Sequence, residues 1–165
     1  MSWQHSGRRG FCRAVCITLI VTVLLFALVV PAMAENEEDS LPWIDYEAAL
    51  EQGKTAGKPL LLFFRTRWCY QCKEMKRRVF RKKDVSDLMK DRFLLVDVDI
   101  GKEKKLQEIY RITYVPTTVF LDQNGKRIMD LKGFVPHSRF LLALKYIAEG
   151  AHRSMDFQEF EKNNR

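Results

Sequence analysis

Cysteine is scarce in this chain and unevenly placed. The 165 residues include four cysteines, and two of them, Cys12 and Cys16, lie in an apolar N-terminal segment. Beyond that segment only Cys69 and Cys72 remain, separated by two residues. A bridge across so short a loop restrains the unfolded chain little, so a stapling role explains the pair poorly. A purely structural disulfide nevertheless stays open as an alternative.

The sequence also has few residues that could form a metal, haem, phosphate-binding or hydrolytic site. A structural zinc site needs four ligands, and besides the cysteine pair only His137, His152 and scattered carboxylates could supply them. A c-type haem site needs histidine directly after the second cysteine, and Lys73 is found there. Neither a phosphate-binding loop nor a Ser–His–Asp arrangement is recognisable. We therefore expect no cofactor and no metal site.

The first 34 residues have the order of a secretory signal peptide. Three arginines and no acidic residue precede an uncharged run over 14–30, and Ala32-Met33-Ala34 follows it. Such small residues mark a signal-peptidase site. We expect residues 1–34 to be removed on export, with an uncleaved inner-membrane anchor as the alternative because the run just reaches membrane-spanning length. Residues 35–165 are then the exported domain, and its expected location is the periplasm.

Net charge does not indicate a nucleic-acid partner. The chain has 28 basic and 21 acidic residues, and three of the basic ones lie in the expected signal peptide, which leaves a surplus of only four. A basic run over 73–83 holds seven Lys and Arg residues. We expect a solvated helix face there, with an acidic partner or an anionic membrane surface as the alternative.

Hydrophobic periodicity predicts one α/β domain with a core over about 43–149. The predicted helices cover 44–52, a segment from Cys69 onward, 84–90, 102–110 and 138–148, and the predicted strands cover 60–64, 93–100, 117–122 and 127–132. Asn124-Gly125 predicts a hairpin between the last two strands. The earlier strands need crossovers and should be parallel, which gives a mixed four-stranded sheet with helices on both faces. The last fifteen residues, polar apart from Phe157 and Phe160, are expected to fray.

Cys69 lies where the first predicted strand gives way to a helix. Unpaired N–H groups and the helix dipole favour a thiolate at that position, and the thiolate is the attacking species in disulfide exchange. Cys72 lies one turn later on a stripe with Met75 and Val79 that should face the core. We therefore expect Cys69 to be the exposed catalytic nucleophile and Cys72 the buried catalytic thiol that resolves the mixed disulfide.

Taken together, these features resemble the thioredoxin superfamily over about residues 43–147. The matching motifs are Lys58-Pro59 before an apolar strand, Trp68-Cys69-Tyr70-Gln71-Cys72-Lys73, Asp97-Val98-Asp99 at the end of the second strand, Tyr110 followed by Val115-Pro116-Thr117, and Gly133 after the hairpin. The long segment over 79–93 is most similar to that of the periplasmic disulfide-interchange reductases. The C-x-x-C motif beside a βαβ pattern is a known thioredoxin-like signature.

The resemblance implies a substrate groove and a set of partners. By resemblance to the family, the Val115-Pro116 peptide bond is expected to be cis, and the backbone of Val115 is expected to pair with substrate. Trp68 and Tyr70 are expected to flank the groove. The implied partners are client proteins with disulfides and a membrane or periplasmic thiol that donates electrons; the protein is expected to be a monomer.

The residues between the cysteines favour reduction of protein disulfides. Strong oxidants of the family have histidine there, whereas Tyr70-Gln71 is neutral and stabilises the reduced thiolate less. The alternatives are a disulfide oxidase or isomerase, or a redox-inactive peptide-binding module with the same fold.

One position departs from the family pattern. Thioredoxins usually have a buried aspartate six residues before the first cysteine, which helps to deprotonate the second, and Phe63 replaces it here. The proton on Cys72 then needs another acceptor. Asp97 and Glu74 are the two weak candidates that the sequence offers.

Overall fold

The computed structural model describes residues 41–164, which form a four-stranded sheet covered by helices. The strands are β1 (Leu60–Arg65), β2 (Leu94–Asp99), β3 (Thr117–Leu121) and β4 (Arg127–Lys132), in the spatial order β2-β1-β3-β4. β1 and β2 are parallel, whereas β3 is antiparallel to both β1 and β4. The predicted mixed sheet is therefore confirmed. The expected signal peptide lies outside the described residues.

Helices cover both faces of this sheet. The α-helices are α1 (Tyr46–Ala56), α2 (Tyr70–Met75), α3 (Lys83–Arg92), α4 (Lys104–Ile109), α5 (His137–Ala148) and α6 (Phe157–Asn163); a π-helical turn (Lys76–Phe80) follows α2 and a 3-10 turn (Ala151–Arg153) follows α5. Within the part of the chain that the structure describes, no helix is both long and apolar enough to cross a membrane.

Strand β1 is the centre of the fold. Its residues from Leu60 to Phe64 are all fully buried, because helices cover both of its faces. Successive side chains alternate between two separate core clusters, so Phe63 packs with Leu61 and Leu95 on one face while Phe64 packs with Val96 and others on the opposite face. The short apolar run in the sequence is thus a strand buried on both sides.

Helix α1 extends further than the sequence predicts. It begins after Asp45, whose carboxylate accepts the Glu47 backbone N–H, and it continues through Gly53 to Gly57. A Cβ at Gly53 would lie 2.7 Å from the Leu60 side chain, so glycine allows this helix to lie close to β1. Gly57 adopts the left-handed conformation that ends the helix.

The expectation that the last fifteen residues fray is wrong. Asp156 caps α6 by accepting the Glu159 backbone N–H, and Phe160 is 7% exposed. The Phe160 ring lies 5.2 Å from that of Tyr146 on α5. Burial of an aromatic ring is a large favourable term, so one buried phenylalanine holds an otherwise polar segment against the domain. The packed core therefore extends beyond residue 149.

Candidate functional site

Cys69 and Cys72 lie at the start of α2, immediately beyond the carboxyl end of β1. They form a disulfide with Cα atoms 5.2 Å apart. Cys69 is the N-cap residue of the helix, and its sulfur accepts the backbone N–H of Cys72 at 3.1 Å. Cys69 is partly exposed, whereas Cys72 is 1% exposed. The predicted difference in exposure between the two cysteines is confirmed.

The helix explains why these two cysteines differ. The stripe formed by Cys72, Met75 and Val79 faces the core, and all three side chains are 1% exposed. Cys69 precedes the first turn, where backbone N–H groups have no partner within the helix and favour a negative charge on sulfur. The arrangement can therefore stabilise a thiolate at the surface and keep a second sulfur directly behind it.

A second loop lies beside the cysteine pair. The Val115–Pro116 peptide bond is cis, as the resemblance implies. Pro116 is buried and its carbonyl accepts the Gly133 backbone N–H at 2.7 Å, while Val115 is partly exposed. The Tyr114 hydroxyl donates a hydrogen bond of 3.4 Å to the side-chain oxygen of Gln71. This contact joins the loop to the residues between the two cysteines.

Several large aromatic side chains are exposed in the cysteine motif and in the loops around the cis peptide and Gly133. Trp68 is 84% exposed and Tyr70 is 73% exposed, so both predicted groove residues lie at the surface. Two more, Tyr114 and Phe134, are exposed to 51% and 37% and were missed by the sequence reasoning. Their positions were the available signal, because Tyr114 directly precedes Val115-Pro116 and Phe134 directly follows Gly133.

Phe63 belongs to an aromatic cluster on the face of the sheet that α2 covers. Its ring lies 4.9 Å from that of Phe80 and 6.5 Å from that of Trp43, and Phe80 lies 5.2 Å from Phe140. The π-helical turn contributes here, since Val79 and Phe80 are both buried within it. An apolar cluster therefore fills the place where thioredoxins have a buried carboxylate.

Asp97 places a carboxylate on this face of the sheet, next to Phe63. It lies on β2 in register with Phe63 and accepts hydrogen bonds from Arg65 Nε and Lys76 Nζ, both at 2.7 Å. Asp99 adds a second carboxylate 3.4 Å from Arg65. The Asp97 hydrogen bond is the main reason why the pKa of Arg65 is raised. The parts that Arg65 and Lys76 play in this ion-pair cluster were not anticipated from the sequence.

Glu74, the other candidate acceptor, is also paired with cations. Arg77 donates two hydrogen bonds to it, at 3.0 and 2.8 Å, and Arg78 lies 3.7 Å away. The hydrogen bond from Arg77 is the main reason why the pKa of Glu74 is lowered. Both carboxylates named from the sequence are thus paired with neighbouring cations.

The histidines considered for zinc have other contacts. His137 Nε2 lies 2.9 Å from both carboxylate oxygens of Asp84. The ring of His152 lies 6.1 Å from that of Tyr146, and burial lowers the pKa of this histidine. Among residues 41–164, no three His, Cys, Asp or Glu side chains are grouped closely enough to hold a metal ion.

Comparisons with known proteins identify a matching family, related sequences and similar solved structures. A family model described as a thioredoxin-like domain matches residues 46–148. The disulfide bond reductase DsbH of Chlamydia pneumoniae is 29% identical, over 59% of this chain and 65% of its own length. The thiol:disulfide interchange protein DsbD of Photorhabdus laumondii is 30% identical, over 64% of this chain and only 19% of its own length. A thioredoxin from Thermus thermophilus is 28% identical with a TM-score of 0.60, over 66% of this chain and 87% of that structure.

Proposed function

Because the chain belongs to the family of thioredoxin-like domains, we propose that it reduces disulfides in other proteins through Cys69 and Cys72. The observation that supports this most directly is the arrangement of the two sulfurs. Cys69 is accessible and accepts a first-turn backbone N–H, while Cys72 is buried immediately behind it. An accessible stabilised thiolate with an adjacent second thiol is the arrangement that dithiol–disulfide exchange requires.

The proposed reaction has two exchange steps. In the first, the Cys69 thiolate attacks one sulfur of a client disulfide, a bond forms between the two sulfurs, and the other client sulfur leaves as a thiolate that takes up a proton. In the second, the deprotonated Cys72 attacks Cys69, which releases the remaining client sulfur. The client gains two electrons and two protons, and this chain is left with the Cys69–Cys72 disulfide.

Two observations support the reducing direction. The neutral Tyr70-Gln71 between the cysteines adds no positive charge that would stabilise the reduced thiolate, so the dithiol should be a good electron donor. The Chlamydia relative is also described as a disulfide bond reductase. Reduction is therefore favoured over the oxidase or isomerase alternatives.

The proposed location is the periplasm. The pattern of arginines, apolar run and Ala-x-Ala over residues 1–34 supports export, with residues 35–165 as the exported domain. Each turnover leaves the pair as the Cys69–Cys72 disulfide, which must be reduced before the next one. We therefore propose a membrane or periplasmic thiol as the electron donor that restores the dithiol.

The proposed client site is the exposed aromatic surface around Cys69. Trp68, Tyr70 and Tyr114 offer large apolar faces that an unfolded client segment can contact. Val115 is partly exposed beside them and would pair its backbone with the client. Such contacts recognise polypeptide near a disulfide with little dependence on its sequence.

Reduction of insulin disulfides tests the proposal. The reduced full chain should reduce insulin, the Cys69→Ser variant should fail to react, and the Cys72→Ser variant should stop at a covalent adduct. Thr55→Ser, at an exposed position on α1 outside the site, serves as the control and should keep the activity. Full biological activity in the Cys69→Ser/Cys72→Ser double variant would contradict the proposal and favour a peptide-binding module.

A further inference from the structure

The positive charge of the described chain is concentrated in one segment. Residues 41–164 contain 24 Lys and Arg and 17 Asp and Glu, a net charge of +7. Residues 65–83 alone contain nine of the basic residues and one acidic residue, a net charge of +8, so the remaining described residues sum to −1. The surplus therefore lies on the end of β1, α2 and the turn that follows, the same elements that hold Cys69 and Cys72.

Ion pairs with carboxylates on β2 neutralise part of this charge. Arg65 and Lys76 are paired with Asp97 and Asp99, which balances two cations with two carboxylates. These groups are at most about one-third exposed. The inner cluster therefore contributes little net charge to the surface around the disulfide.

Two cations that flank the cysteine pair in the sequence have no such partner among the described residues. Arg67 and Lys73 are exposed on either side of the cysteine pair, and neither forms an ion pair within residues 41–164. The Lys73 backbone N–H bonds to the Cys69 carbonyl at 3.2 Å, which places this lysine one turn from the proposed nucleophile. Arg77 and Arg78 share the single carboxylate of Glu74, and both are 63% exposed.

We infer that the macromolecules that exchange disulfides with this chain are proteins with acidic side chains beside the reacting sulfurs. The inference rests on the proposed function and adds a partner class to it. The unneutralised cations border Cys69, whose sulfur must come within bonding distance of a partner sulfur. The carboxylates of an acidic protein can pair with these cations while its reacting sulfur approaches Cys69. An anionic membrane on the same face would cover Cys69.

Charge complementarity of this kind acts mainly on the rate of encounter. Oppositely charged surfaces raise association rates by roughly 10- to 1,000-fold at low ionic strength. The effect declines as salt shortens the screening length to about 3 Å at 1 M. Acidic partners should therefore react faster than basic ones, with a difference that salt removes.

The test compares two disulfide-bonded peptides that share the residues next to the disulfide but are flanked by three aspartates or by three lysines. With the reduced full chain at low salt, kcat/KM for the acidic peptide should exceed that for the basic peptide about tenfold, and the ratio should approach one at high salt. The Arg67→Glu/Lys73→Glu variant should reverse the preference. Because the readout is the ratio of kcat/KM for the two peptides, a change in thiol reactivity that affects both peptides equally does not alter it.

Lys54→Glu/Lys145→Glu is the matched control, because it makes the same change in net charge at two exposed positions outside the segment. It should keep the wild-type ratio. Equal rates for both peptides, whether or not the protein binds phosphatidylglycerol vesicles, would overturn the inference while leaving the proposed activity intact. Reduction of neither peptide would overturn the proposed function and the inference with it.

Discussion

Phe63 on β1 and Asp97 on β2 are neighbours in the parallel register of the sheet, and their side chains lie on the same face. The ring of Phe63 fills the core, while the Asp97 carboxylate beside it binds Lys76 at 2.7 Å. The Lys76 ammonium also lies 5.7 Å from the centre of the Phe63 ring. The fold thus has a charged pair at the edge of an aromatic cluster in place of one buried acid.

The aromatic cluster predicts how Phe63 responds to substitution. Phe63→Asp should lower the free energy of unfolding by at least about 3 kcal/mol, because it loses the ring and buries a polar group. Phe63→Leu, which matches aspartate closely in size, should cost about 1 kcal/mol. Urea denaturation of both variants measures the difference. A cost for Phe63→Asp no larger than that for Phe63→Leu would mean that the site accepts a carboxylate.

The ion-pair cluster predicts that Asp97 matters more to stability than an exposed acid does. Asp97→Asn leaves Lys76 without its carboxylate and should cost about 1–2 kcal/mol, since the Asp97 side chain is only 15% exposed. Asp87→Asn breaks a pair with Lys83 that is largely exposed and should cost less than about 0.5 kcal/mol. Equal costs in a denaturant titration would contradict a stabilising role for the cluster.

The burial of Cys72 predicts which variant accumulates a covalent intermediate. Cys72→Ala should form a long-lived mixed disulfide with client proteins through Cys69, because no second thiol remains to release them. Cys69→Ala should form far less, since its remaining cysteine, Cys72, is only 1% exposed in the folded chain. Non-reducing electrophoresis followed by mass spectrometry identifies the trapped clients. Stronger trapping by Cys69→Ala would reverse the assigned roles.

The contact between α3 and α5 predicts a dependence of stability on pH. His137 donates a hydrogen bond to Asp84, and this bond is the main reason why the pKa of Asp84 is lowered from 3.8. A carboxylate whose pKa is lowered by folding stabilises the fold above its unfolded pKa and loses this effect as pH falls through the folded value. The difference in unfolding free energy between wild type and Asp84→Asn should be under about 1 kcal/mol at pH 6 and should vanish towards pH 2.

Denaturant titrations between pH 2 and pH 6 measure that difference, with Asp87→Asn as the exposed control. A difference that stays constant over this range would show that the charge of Asp84 does not contribute to stability.

Most of the fold could be predicted because its signals are local. The alternating residues of β2 pack as expected on opposite faces of the sheet, and Asn124-Gly125 does connect β3 to β4. Helix α2 begins directly after Cys69, its N-cap residue, where the sequence changes from a strand period to a helical one.

The remaining features depend on contacts between distant residues. The sequence predicts that the first helix ends before Gly53. In the structure Gly53 lies inside α1, where the absence of a side chain allows the close approach of Leu60. Phe160 reads as part of a polar tail because its partner, Tyr146, lies on another helix. In the sequence, Lys76 is one of several cations on a helix face that is expected to be solvated. Its pairing with Asp97 depends on the register of β1 and β2, which the sequence does not reveal.

The central claim, that the Cys69–Cys72 pair donates electrons to protein disulfides, is tested most directly by its reduction potential. The purified chain is equilibrated with glutathione buffers of known ratio, and the dithiol fraction is measured by thiol alkylation and mass spectrometry. The neutral residues between the cysteines predict a potential below about −200 mV, closer to the roughly −270 mV of thioredoxin than to strong oxidants. A value near −120 mV, that of a strong disulfide oxidant, would contradict the account.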